Sequence, residues 1–205
     1  MSTLANQDRA SGAALDALKA ELERFGAAHD AATSDRALRM FNITRGTGEF
    51  LGVLVRATAA RRVLEIGTSN GYSTLWLAEA AASIGGSVTT VEVAEEKIAL
   101  ALRNFARSGL TRWIESVRED AASFLEGSAA GWYDLIFLDS ERPLYPSWWP
   151  ALRRALRAGG LLIVDNAISH REQMAPFVSI LMADAGFATC CVAVGKGEFL
   201  AAKIH

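Results

Sequence analysis

The apolar positions change their period near residue 60. Before it, Leu15, Leu18, Leu22 and Phe25 recur three to four apart and residues 46–59 carry a second such stripe, so the spacing predicts two helices, each with one buried face. From Arg61 onward, short apolar runs take over at 61–66, 87–93, 112–117, 133–139, 160–165, 187–194 and 198–204. The first five alternate with helical stretches, the pattern of a parallel sheet covered on both faces. Runs such as LIFL and LLIV, unbroken by polar residues, mark strands buried on both sides. Only the turn around Gly195-Lys196-Gly197 joins the last two runs, which therefore form an antiparallel hairpin. The expected fold is a doubly wound, mostly parallel seven-stranded α/β sheet with a late antiparallel strand. Residues 1–205 make one domain, with 1–60 a helical attachment and 61–205 the α/β core.

Composition narrows the partners. With 21 basic and 23 acidic residues the net charge is −2, and neither sign forms a long block. That disfavours a broad grip on nucleic acid or on an anionic membrane and points to a small molecule. The segment MSTLANQDRASG has no basic stretch leading into an apolar one, and no run of ~18 apolar residues occurs, so a cytoplasmic protein without a membrane span is expected. Cys190 and Cys191 are adjacent and the only cysteines, which excludes a disulfide framework.

In doubly wound sheets ligands bind beyond the carboxyl ends of the strands, so the residue ending each run is where chemistry is sought. The first run leads into Gly67 and Gly71 and a helix beginning near Ser73; the glycines allow a tight turn and close backbone approach, and the helix start aims free N–H groups at an anion. Position 69 is Ser, so the G-x-G-x-x-G signature of dinucleotide binding is absent. The second run places Glu92, 25 residues after Gly67, where an acid accepts ribose hydroxyls; a solvated loop acid is the plain alternative. The fourth and fifth runs end in Asp139 and Asp165-Asn166. If they pair, their ends lie ~4.8 Å apart and three oxygen-bearing side chains converge, a set that selects a hard cation such as Mg²⁺, with Mn²⁺ or Ca²⁺ as other candidates. Each Asp can instead serve as a helix N-cap.

Together VLEIGTSNGYST, the VE pair, FLD followed six residues later by Tyr145, and VDN resemble the cation-dependent S-adenosylmethionine O-methyltransferases, the group of catechol and caffeoyl-coenzyme A O-methyltransferases. The resemblance runs from about Phe41 to the C-terminus and implies a class I methyltransferase fold, Rossmann-like. It implies cofactor contacts from Asn42 and Ile43 in the segment before the first strand, from Glu65, Gly67, Gly71, Tyr72 and Ser73, from Glu92 and Asp139, and from Asp120 and Ala121 on the adenine side. It implies metal ligands at Asp139, Asp165 and Asn166, a phenolic acceptor with neighbouring oxygens, and a homodimer with the N-terminal helices as candidate interface.

One position departs from the pattern. Where the family usually has a Lys three residues after the first metal Asp, taken to remove a hydroxyl proton, this chain has Arg142. Arginine keeps its proton in proteins, so the catalytic contribution expected of Arg142, beside Asp139, is to orient an acidic acceptor or hold the anion formed. Lys196 in the hairpin turn is expected to be solvated, His170 to cap or lie on the surface, and Trp148 and Trp149 to pack in the core. Two other functions stay open: methylation of a hydroxylated uridine in transfer RNA, and cofactor binding without methyl transfer, which the Lys-to-Arg change alone favours.

Overall fold

A computed structural model describes residues 2–205, with side chains from Gly12 onward. The chain runs α1 (Ser2–Ala32), α2 (Arg45–Ala57), β1 (Arg62–Ile66), α3 (Tyr72–Ser83), β2 (Ser87–Glu92), α4 (Glu95–Ser108) and β3 (Ile114–Arg118). It continues through α5 (Ala121–Gly127), β4 (Tyr133–Leu138), α6 (Tyr145–Ala155), β5 (Leu156–Val164), α7 (Arg171–Ala183), β6 (Phe187–Val192) and β7 (Glu198–Lys203). Strand order is β3-β2-β1-β4-β5-β7-β6, with β7 antiparallel to both of its neighbours and the other strands parallel to one another.

Alternation along each strand divides the core in two. Val63, Leu135 and Leu161 face one side, where they meet Leu18 and Leu22 of α1, Leu51 of α2, Leu75 of α3 and Phe105 of α4. Leu64, Ile136 and Leu162 face the other, against Leu125 of α5, Trp148 and Trp149 of α6 and Phe177 of α7. The strands most deeply enclosed are β1, β4 and β5, because both faces carry helices, which accounts for the unbroken apolar runs LIFL of β4 and LLIV of β5. No helix among the described residues is long and apolar enough to cross a membrane.

Two expectations need correction. Phe25 leaves the buried stripe of α1 and is 40% exposed, stacked on His29, because the next turn of the helix packs on the segment before α2 instead: Asn42 donates to the carbonyl of Leu22, and Gly26 lies directly against the Asn42 amide. Strand β5 begins at Leu156, four residues before the apolar run at 160–165, with a register irregularity opposite Tyr133/Leu135. Gly159, at φ +71°, takes the left-handed turn there, and so permits a strand that its sequence hides.

The order of strands reverses between β1 and β4, so the helices after these two strands leave on opposite faces and open a crevice at their carboxyl ends. Backbone hydrogen bonds knit those ends together: Asp139 N donates to Ile66 O at 3.1 Å, Gly67 N to Val91 O at 3.0 Å, and Asp165 N to Leu138 O at 3.0 Å.

Candidate active site

The loop from Gly67 to Gly71 is fixed by contacts that leave little freedom. A side chain on Gly67, at φ +108°, would overlap the carbonyl oxygen of Asp139, so only glycine lets β1 and β4 lie this close at their ends. Ser69 holds φ +48°, uncommon outside glycine, and is held in it from two sides. Its N–H donates to Glu92 Oε2 at 3.0 Å and its hydroxyl to Met40 O at 2.8 Å. Glu92 also accepts from the N–H groups of Val93 and Ala94, both 3.0 Å from Oε1, which aligns its carboxylate and leaves Oε2 room for another donor. Beneath the loop Glu65 is fully buried and accepts from Thr74 Oγ1 at 2.5 Å and Thr90 Oγ1 at 2.6 Å. Burial pushes its carboxyl up to about 7 despite those donors.

At the ends of β4 and β5, Asp139, Asp165 and Asn166 come together. The Asn166 amide donates to Asp165 Oδ2 at 2.6 Å and to Asp139 Oδ1 at 3.3 Å, and Asn166 itself takes the left-handed conformation at φ +69°. Asp139 is raised well above the usual carboxylate range by burial first and by the charge of Asp165 second. Asp165 Oδ1 is buried without a partner. Asp139 and the buried Asp165, one oxygen of which is orphaned, face each other without a close ion pair, and the charges of Lys196 and Arg142 only partly offset the repulsion at Asp139, so the set fits a hard divalent cation. It consists of two acids and an amide; among the described residues no three His, Cys, Asp or Glu side chains are grouped to hold a metal. A third acid lies behind it. Glu198, the first residue of β7, is fully buried, accepts from Thr47 Oγ1 at 3.0 Å, and is pushed up to about 9 by burial and then by Asp165.

One cavity of about 670 Å³ joins these two centres. Of the residues singled out in the sequence, Asn42, Ile43, Gly67, Tyr72, Ser73, Glu92, Asp139, Arg142 and Asn166 line it. Asp120 and Ala121 line a smaller adjoining recess of about 100 Å³ that Glu92 shares. Glu65 and Gly71 line neither: Glu65 braces the loop from below, and Gly71, at φ +84°, gives way to Phe105, whose ring a side chain there would strike. Asp165 is also outside the cavity wall, 2% exposed behind Asn166.

The sequence reading missed several wall residues. Lys196 lines the cavity rather than standing in solvent, because β6 runs parallel to β4 and β5 and its turn therefore emerges at their carboxyl ends. His170, expected to cap or lie on the surface, occupies the N-cap position of α7 without a capping bond and lines the cavity. Arg36 reaches the wall from the short 3-10 turn at 36–38, which no motif marked. Trp148 and Trp149 pack in the core as expected, and Tyr145 does too, its hydroxyl accepting from Ser140 N at 2.6 Å.

Comparison with known proteins accords with this arrangement. A family model described as O-methyltransferase matches residues 17–204. A catechol O-methyltransferase of Mycobacterium tuberculosis is 38% identical over 170 residues, 82% of this chain and 69% of the relative. A catechol O-methyltransferase of Niastella koreensis is 33% identical over 138 residues, 66% of this chain and 62% of the relative. Among solved structures, the O-methyltransferase of Bacillus cereus in complex with SAH superposes with a TM-score of 0.77 at 25% identity, covering 91% of this chain and 90% of that one. A cofactor-bound protein from MTB gives 0.76 at 28% identity, covering 94% and 89%. The doubly wound sheet is that of the class I methyltransferases, and with the family model spanning nearly the whole of it, the chain belongs to the O-methyltransferase family, whose members take their methyl group from S-adenosylmethionine.

Proposed function

We propose that the protein transfers the methyl group of S-adenosylmethionine to one hydroxyl of a small catechol-like phenol, with a divalent cation at Asp139, Asp165 and Asn166. The observation that carries this reading is the single cavity walled by the Gly67–Ser73 loop and Glu92 at one end and by Asp139 and Asn166 at the other. A donor and an acceptor held there lie side by side, and positioning of that kind supplies much of the rate advantage of a displacement.

Glu92 accepts the ribose hydroxyls, and the loop N–H groups with the start of α3 receive the carboxylate of the methionine part. The recess at Asp120 and Ala121 takes the adenine. Asn42 and Ile43 cover the methionine end, with Asn42 pinned to α1 through Leu22. When bound, the cation supplies Lewis acidity that makes a phenolic hydroxyl easier to deprotonate. Arg142 is no general base; its guanidinium orients an acidic acceptor. The cytoplasm is the expected compartment, and a homodimer is the expected assembly, which light scattering tests by returning twice the chain mass or once.

Turnover of phenolic acceptors with S-adenosylmethionine, with and without Mg²⁺ and chelator, tests the reading. Asp165→Ala should abolish cation-dependent turnover. Full activity in excess chelator excludes the cation, and failure of every phenol together with methylation of a transfer RNA would replace the acceptor class.

A further inference from the structure

Arg36, Arg142 and Lys196 stand in the wall of the cavity without a close ion pair, although the charges of Arg142 and Lys196 are felt at Asp139. Arg142 is 9% exposed, donates through Nε to Gln173 Oε1 at 2.9 Å, and forms no ion pair among the described residues. Arg36 packs over the Phe41 ring at 4.8 Å, and Lys196 comes from the hairpin turn; neither forms an ion pair among the described residues. They arrive from three separate segments, and His170 senses all three: its imidazole is held below its ordinary value by burial, then by Arg142, Lys196 and Arg36. A buried guanidinium left with one neutral partner is costly, and the cost is recovered when a ligand brings the missing anion.

Most acids of the wall are otherwise engaged. Asp35 accepts from Ala37 N and caps the turn that bears Arg36, and Glu141 also lines the recess assigned to adenine. Glu92 is held at the cofactor end, where Lys97 also lies. Asp139 and Asp165 together carry the charge that a divalent cation neutralises. S-adenosylmethionine brings one net positive charge of its own. The loaded chamber therefore holds a surplus of positive charge, and Arg36, Arg142 and Lys196 line it from three segments.

We infer that the acceptor is an anionic catechol, bearing a carboxylate on the ring or on a short side chain, which the Arg36 and Arg142 guanidinium groups and Lys196 receive. Planar guanidinium forks match carboxylate geometry, and the charge-assisted bonds they make are among the stronger polar contacts available, most so at the buried Arg142. The inference rests on the proposed phenol methylation and refines its substrate.

The test compares 3,4-dihydroxybenzoate, its methyl ester and 4-(2-aminoethyl)catechol, three catechols that differ in charge remote from the reacting hydroxyls. In steady-state kinetics the acid should exceed the ester in kcat/KM by at least ~10-fold, mainly through KM, with the amine poorer still. Calorimetric binding to the protein loaded with S-adenosylhomocysteine and Mg²⁺ should give the same order without any turnover. Arg36→Met and Arg142→Met should each collapse the acid-to-ester ratio toward one, and Arg36→Lys should recover most of it. Equal kcat/KM and equal affinity for acid and ester would overturn the anionic acceptor while leaving phenol methylation standing. Turnover of none of the three, with methylation of a hydroxyuridine-containing transfer RNA, would remove both.

Discussion

Single residues at the strand ends carry the sharpest expectations. Glu92→Ala removes the acid proposed to accept the ribose hydroxyls and should weaken S-adenosylmethionine at least ~10-fold in calorimetric titration, about the cost of losing one charge-assisted hydrogen bond. Gly67→Ala sets a methyl group against the Asp139 carbonyl at a left-handed φ and should abolish cofactor binding and lower the melting temperature together. Glu65 makes a prediction of opposite kind, on stability alone. Its folded pKa of about 7 lies above the ordinary 4.5, so the folded protein keeps a proton that the unfolded chain has lost. Stability from this group is complete below about pH 4.5, falls as pH rises and levels off near pH 7, a loss on the order of 3 kcal/mol. Glu65→Gln copies the protonated acid and should flatten that part of the urea-unfolding profile of the ligand-free protein.

At the scale of elements, the sequence was legible wherever one strand carried its own evidence. The apolar runs around Leu64, Ile136 and Leu162 end in polar residues, and Gly67, Glu92, Asp139 and Asn166 all proved to stand at the crevice. What escaped was anything decided by two distant segments meeting. Phe25 fits a helical stripe, but the Asn42 amide decides what packs there; Glu198 reads as an ordinary strand-start acid until the β5–β7 register sets it behind Asp165. The left-handed conformations of Phe41, Ser69 and Asn166, all in the cavity wall, are equally invisible in composition. The hairpin turn lies between these cases: its existence followed from the glycines, yet the position of Lys196 needed the direction of β6. Because Lys196 serves as a fixed charge in this scheme, Lys196→Met should slow kcat by less than ~10-fold, against the 10²–10⁴-fold expected for a lost general base. A larger fall in a kcat–pH series would make Lys196 the proton acceptor.

Taken whole, the molecule has two cores on opposite faces of one sheet, and the N-terminal helix belongs to only one of them. Its attachment is polar as well as apolar. Lys19 is fully buried in α1, with Nζ 2.7 Å from Glu79 Oε2 and 3.6 Å from the centre of the Trp76 ring, while Glu23 accepts from the Tyr72 hydroxyl at 2.5 Å and pairs with Arg45 at 2.8 Å. Tyr72, Trp76 and Glu79 all belong to α3, which begins directly after the Gly67–Gly71 loop. Fraying of α1 and loosening of that loop are thus expected to be one event rather than two. A ligand bound at the loop should slow amide hydrogen exchange along the Lys19–Glu23 stretch, which lies outside the cavity wall but is joined to it by the Tyr72–Glu23 hydrogen bond. Lys19→Ala should break the linkage, leaving α1 amides exchanging quickly whether or not S-adenosylhomocysteine is present, and protection confined to the loop in the unaltered protein would show that the helix is merely packed alongside.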